Sequence, residues 1–184
     1  MNRNDPLVQV VRESFGKVVY SHKTHEKARE IASQKAARVK WFNIILTSLT
    51  SGSFLSNVIV NQTWLTVVSS GLAAVTIAYM VYQINFNPER DAERHRQTAN
   101  ELWYIRERYV ALLADMRDGM APAAAAARRD ELNDDLKLVY KFAPDTYSKA
   151  YQQAQAALKL NEELTFSNEE INHFLPESLH IKAE

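Results

Sequence analysis

Few side chains in this sequence are spaced for metal or covalent chemistry. His22-x-x-His25 places two imidazoles three residues apart, on one face if the segment is helical, as a pair of metal ligands would be. A closed zinc site needs further ligands and nothing nearby supplies a set, so a solvated or interfacial pair is expected. The absence of Cys removes disulfides, thiol nucleophiles, iron–sulfur clusters and Cys-based zinc sites together. Gly16, Gly52, Gly71 and Gly119 stand isolated, whereas a phosphate-cradling loop needs clustered glycines for close backbone approach. No nucleophile–base pair stands out, so the reading is a non-enzyme without catalytic residues or bound metal. The 22 basic and 22 acidic side chains cancel, which argues against a nucleic-acid partner.

The distribution of charge says more than its sum. Every residue from Trp41 to Pro88 is uncharged, 48 consecutive positions in a chain that is 24% charged. A helix crossing a bilayer needs about 20 mostly apolar residues, because the hydrocarbon is about 30 Å thick and each residue rises about 1.5 Å. Residues 41–60 and 64–84 are two such lengths joined by a polar turn, Asn61-Gln62-Thr63, and they predict a membrane hairpin over 41–86. Each span opens on Trp, and Tyr79 and Tyr82 lie near the end of the second, where amphipathic rings favour the interface. A hairpin buried in a soluble bundle would carry a charged outer stripe, and neither span has one.

Within the spans, the polar residues divide between two faces. Asn43, Thr47, Thr50 and Asn57 share one arc of the first helix, with Phe54 among them. Polar amides are costly in lipid and usually face protein or water, so this arc is either the candidate lining of a conduit or a set of ordinary interhelical hydrogen bonds. Ser48, Gly52 and Ser56 occupy the opposite side at four-residue intervals, and Ser70, Ala74 and Ala78 repeat that spacing in the second helix. These small ridges are candidate helix-packing surfaces. One hairpin encloses no pore; several copies would, with polar arcs inward and small ridges against neighbours.

The flanks must position this hairpin. Val8, Val11, Phe15, Val18, Val19 and His22 recur at helical spacing, and the helix is expected to continue through residues 22–40 toward the membrane. Beyond the second span, Asn87-Pro88-Glu89 reads as a helix restart with Asn as N-cap. Ala92, His95, Ala99, Leu102, Arg106, Tyr109, Leu113 and Met116 then form a heptad seam. His95 and Arg106 interrupt it, either at its edge or to meet an anionic ligand or set register. Gly119 ends this helix, Pro122 starts another, Pro144 opens a further one, and Ser167-x-x-Glu170 is a capping box for a last short helix ending near Pro176. No strand pattern appears. The predicted fold is all-α: an amphipathic helix over 1–40, a two-transmembrane hairpin over 41–86 and a helical domain over 87–184.

Charge also orients the chain. Lys23, Lys27, Arg29, Lys35, Arg38 and Lys40 precede the first span, Arg90, Arg94, Arg96, Arg106 and Arg108 follow the second, and the turn has none, which places both termini in the cytoplasm. The first 40 residues lack the apolar core of a cleavable signal, so the first span is expected to be retained. Residues 1–40 carry nine basic and four acidic side chains and residues 85–184 carry thirteen and eighteen, so the two should attract, or the first should dock on anionic lipid.

ERHRQTANELWYIRERYVALLADM after the second span and YKFAPDTYSKAYQQAQAALKLNEELTFSNEEINHFLPESL beyond it resemble the SLATT proteins, two-transmembrane effectors associated with nucleotide-signalling genes in bacterial defence loci. The resemblance spans nearly the whole chain. It implies a homo-oligomer in the bacterial inner membrane whose cytoplasmic part responds to a nucleotide second messenger and permeabilises the membrane of an infected cell. It implies no cofactor beyond a cyclic or other nucleotide ligand and leaves the sign of coupling open. Arg94, Arg96, Arg106 and Arg108 offer fork-like donors for a nucleotide phosphate, the alternative for each being a charge-paired solvated helix face or a lipid-headgroup contact. The alternative is a passive two-transmembrane anchor or scaffold that recruits a soluble partner.

Overall fold

The computed structural model describes residues 6–176 and His180; the outer ends of the expected 1–40 and 87–184 segments lie outside the described residues. Six helices follow one another: α1 (Pro6–Val60), α2 (Thr63–Asn85), α3 (Pro88–Arg117), α4 (Pro122–Phe142), α5 (Ser148–Lys159) and α6 (Asn168–Phe174). The fold is all-α, with no strand among the described residues.

The amphipathic segment and the first span are one uninterrupted helix. At 1.5 Å per residue the 55 residues of α1 make a rod roughly 80 Å long. Its interior contains no Pro, and Gly16 and Gly52 are too far apart to act together as a hinge. The chain reverses at Asn61, which takes a left-handed conformation (φ 50°), and returns antiparallel through α2 and α3. The return arm breaks at Phe86-Asn87, both outside the helical region. Asn87 then caps α3 by accepting from the Arg90 N–H, with Pro88 in the first turn as the sequence requires.

Outside the apolar half, α1 and α3 pack along their length. Val11 and Val18 of α1, Leu102, Ile105, Tyr109 and Leu112 of α3, and Ala125 and Leu132 of α4 form the main core. Each large apolar side chain so buried contributes about 1.5–3 kcal/mol. The predicted α3 seam is there, shifted by one position toward its end, where Ile105 and Leu112 are buried more deeply than Arg106 and Leu113. Gly119, with φ 100°, supplies the left-handed residue of a helix-end motif. Its N–H and that of Met120 bond the Met116 and Asp115 carbonyls, and the chain turns into α4.

α5 lies on α1 through small residues. Ala150, Ala154 and Ala157 are buried, the first against Ala28 and Ile31. This helix starts four residues later than expected: Pro144 holds Ala143 extended (φ −62°, ψ 140°) and ends α4, and the chain stays non-helical to Tyr147. The Ser167–Glu170 capping box opens α6 with both reciprocal hydrogen bonds formed.

Two of these helices are long and apolar enough to cross a membrane. Only 6% of each apolar window is buried within the chain, which separates them from core helices of a soluble bundle. Trp41, Ile45, Phe54, Ile59, Trp64, Val67, Ile77 and Ile84 are all more than half exposed. A surface of that kind requires lipid or protein cover.

Candidate functional site: a polar ladder above a histidine seam

The two spans meet through polar side chains. Asn43 and Gln83 form a reciprocal amide pair, with Asn43 Nδ2 donating to Gln83 Oε1 at 2.8 Å and Gln83 Nε2 donating to Asn43 Oδ1 at 2.8 Å. Thr50 and Thr76 hydroxyls lie 3.0 Å apart, and Thr66 Oγ1 donates to Asn57 Oδ1 at 3.1 Å. Leu46, Ser53 and Ser69 lie between these rungs at three- and four-residue spacing, the last donating to the Leu65 carbonyl. The result is a ladder of hydrogen bonds running the depth of the hairpin.

This places the candidate conduit residues directly. Asn43, Thr50 and Asn57 bond α2 of the same chain, whereas Thr47 sits exposed beside the seam and Phe54 projects from it. The small ridges are on the other side: Ser48, Gly52 and Ser56 of α1 and Ser70, Ala74 and Ala78 of α2 are all exposed. They do not hold the hairpin together. A methyl added at Gly52 or Gly71 meets nothing within 4 Å. Helical phase puts each ridge roughly opposite its own helix's seam, so the hairpin carries one small-residue face on either flank.

Below the ladder, the two imidazoles of the His22-x-x-His25 motif are buried between α1 and α3 and not solvated. Their partners come from a helix that sequence spacing does not reveal. His25 Nδ1 lies 3.0 Å from His95 Nδ1, and His22 Nδ1 bonds the Ala99 carbonyl at 2.9 Å while its ring rests 5.2 Å from that of Trp103. Burial lowers the affinity of all three for a proton. For His25, burial together with the neighbouring His95 and His22 takes the pKa down to about 4. Among the described residues no group of three or more potential ligands is arranged to hold a metal ion.

Charged side chains fasten the helical tail to this seam. Lys23, itself buried, bonds Glu26 at 2.7 Å and Glu163 at 2.6 Å, and Lys27 lies 3.9 Å from Glu163. Burial works against the Lys23 ammonium, but the two carboxylates outweigh it and hold its pKa above the ordinary value. Glu163 reaches Lys23 from a turn whose neighbours Glu162 and Leu164 both have positive φ (51° and 74°). The basic first segment and the acidic tail are thus joined at this point, one of the two arrangements that their opposite charges allow.

The four arginines proposed for a phosphate do not converge. Arg96 makes a two-pronged bond to Glu93, Arg108 pairs with Asp135, and Arg106 pairs with Glu107. Arg106 lies at the edge of the seam beside Ile105: its guanidinium covers the rings of Trp103 and Phe15 at 4.5 and 5.9 Å, and its Nε is buried without a hydrogen-bond partner. Arg94 differs, with no ion pair among the described residues. It lines a hollow of about 400 Å³ together with Lys35, His95 and Tyr147, as well as Asp91 and Asp145. Lys35 there lies over the Tyr147 ring, 5.7 Å from its centroid.

Two long apolar spans exposed along their length and continued by a packed helical tail define a two-span helical membrane protein. Residues 7–170 match the family model for the SMODS and SLOG-associating 2TM effector domain, family 4, and the chain belongs to that family. It is a two-transmembrane effector domain linked to nucleotide-signalling defence systems, and the family is not a known enzymatic one. No curated protein and no solved structure matches the chain.

Proposed function

We propose that this chain is an oligomeric effector of bacterial anti-phage defence, seated in the inner membrane with both termini in the cytoplasm and gated by a nucleotide second messenger, which on activation permeabilises the membrane. The observation that carries this reading is the ladder. The amides and hydroxyls that form its rungs are tolerated in hydrocarbon because each of them has a partner on the other helix. If a neighbouring copy or water replaces α2, the same groups line a path.

The energies are compatible with a switch. Interhelical hydrogen bonds in membranes average about 0.6 kcal/mol, so opening the four bonds of the ladder costs on the order of 2–3 kcal/mol. A messenger that prefers the open form about 100-fold supplies about 2.8 kcal/mol. The exposed ridges support the assembly, since the α1 ridge of one copy facing the α2 ridge of the next is a head-to-tail contact, the type from which rings are built when the rotation between copies closes. The hollow lined by Lys35, Arg94, His95 and Tyr147 has two cations outside any ion pair for a phosphate, a ring for a base and carboxylates for base or ribose donors.

Dye release from liposomes containing the full chain tests the proposal, with cyclic mono- and dinucleotides added in turn. Release that depends on one nucleotide and weakens in Arg94→Ala supports it. An oligomer that leaks under no ligand condition points instead to the scaffold.

A further inference from the structure

The break in the return arm has a geometric cause and leaves a space. Eighteen residues of α1 separate His25 from Asn43, but twelve residues of the return arm separate Gln83 from His95, the partners of those two. In two continuous helices these rungs would be out of step by six residues, about 9 Å of helix. Extended Phe86 and non-helical Asn87 recover only part of that length, about 4 Å at roughly 3.3 Å per extended residue, and the junction leaves a hollow of about 530 Å³ against α1. This lies within the range of pockets that take small ligands, roughly 300–1,000 Å³.

Its depth and lining point to lipid. The hollow sits beside Trp41 and the stacked rings of Tyr79, Tyr82 and Phe86, the aromatic level at which spans leave hydrocarbon. Ile44 and Phe86 line its apolar part, and the Asn43–Gln83 pair lines it toward the membrane. Lys40 and Glu89 also line it, both exposed, and neither forms an ion pair with the other or with any described residue. A ligand carrying both charge signs would satisfy the two together.

We propose that this hollow is a headgroup site for a zwitterionic aminophospholipid of the phosphatidylethanolamine type, with its phosphate on Lys40, its primary ammonium on Glu89 and an acyl chain along Ile44 and Phe86. A lysine ammonium is a compact point charge suited to a phosphodiester, and a carboxylate accepts hydrogen bonds from a primary ammonium that a quaternary one cannot donate. The lipid wedges the junction and supports the break between α2 and α3. This reading requires only the membrane hairpin and stands apart from nucleotide gating.

The test uses the full chain in mild detergent, followed by native mass spectrometry and thermal unfolding with phosphatidylethanolamine, phosphatidylcholine, phosphatidylglycerol or inorganic phosphate added. Phosphatidylethanolamine should be retained and should stabilise the chain more than the others. Glu89→Gln should weaken its retention about tenfold, the loss of one charge-assisted bond, and leave phosphatidylglycerol unaffected. Lys40→Gln should weaken both lipids. The two side chains are exposed and unpaired, so helix content should match the parent in each variant, as circular dichroism would verify. Equal retention of the three lipids, or an ethanolamine preference unchanged in Glu89→Gln, would overturn the proposal. So would a phosphatidylglycerol preference resting on Lys40 alone, which assigns an anionic lipid, or saturation by inorganic phosphate, which assigns a free anion.

Discussion

His25 of α1 and His95 of α3 meet Nδ1 to Nδ1 at 3.0 Å inside the helical tail. Such a bond requires one Nδ1 to carry a proton and the other to be bare, and burial of both rings favours the neutral pair, with the two rings in different tautomers. Each pKa is lowered by burial, and that of His25 reaches about 4. The unfolded chain therefore takes up protons before the folded one, and the stability from neutral His25 is complete above about pH 6.5 and lost as pH falls toward 4. The loss is on the order of 3 kcal/mol for this group. Thermal unfolding in detergent should show a melting temperature that declines across this window, and His25→Gln should flatten the decline. A parent profile that is level from pH 7 to 4 would contradict the buried neutral pair.

Asn43 and Gln83 should be energetically coupled. Removing one amide leaves its partner unpaired in hydrocarbon, whereas removing both leaves an apolar contact. Asn43→Leu and Gln83→Leu should each destabilise the hairpin by about 1 kcal/mol or more, and the double variant by less than their sum. Additive losses in a double-mutant cycle would show that the rung does not form.

The outer ridges predict a separation between folding and assembly. Gly52 has open space where a side chain would go, so Gly52→Leu should leave the monomer's helix content and melting intact. If the ridge packs against a second copy, the same change should reduce oligomer mass in crosslinking or mass photometry. An unaltered oligomer removes the ridge from the interface.

Lys23 fastens the acidic tail, and Glu163→Gln weakens that fastening while keeping the shape of the side chain. Amide exchange in residues 160–175 should quicken several-fold, with little change in the α1–α3 core. Lys23→Met should release the same segment with less loss of stability than Lys23→Asp, which buries a carboxylate near Glu26 and Glu163.

Leu102 is fully buried at the centre of the α1–α3–α4 core. Leu102→Ala should lower unfolding free energy by about 2–5 kcal/mol in chemical denaturation. A cost under 1 kcal/mol would mean that the tail is not packed in this way.

Much of this architecture was readable from residue order because it depends on local signals. The gap in charge from 41 to 88, the Asn87-Pro88 cap, Gly119 and the Ser167–Glu170 box each act within a few residues, and each sits where its chemistry requires. The polar arc of the first span was also visible, but not what it faces, since the 40-residue separation of Asn43 from Gln83 leaves no periodic trace. His95 met His25 for the same hidden reason: only the antiparallel register of α1 and α3 brings them together. The spacing of the two histidines in α1 pointed to a solvated or interfacial pair, whereas both are buried and each finds its partner on α3. The turn holding Glu163 had no marker, because its left-handed residues are Glu162 and Leu164 and not glycines.

The unequal construction of the two arms has a mechanical consequence. An unbroken rod carries torque from end to end, while an articulated one dissipates it at the joint. An unbroken helical path therefore joins Val11 to Asn57 within α1, while the path through the other arm crosses the non-helical Phe86-Asn87 joint. A lever paired with a universal joint converts a small turn at one end into relative slip between the two halves at the other.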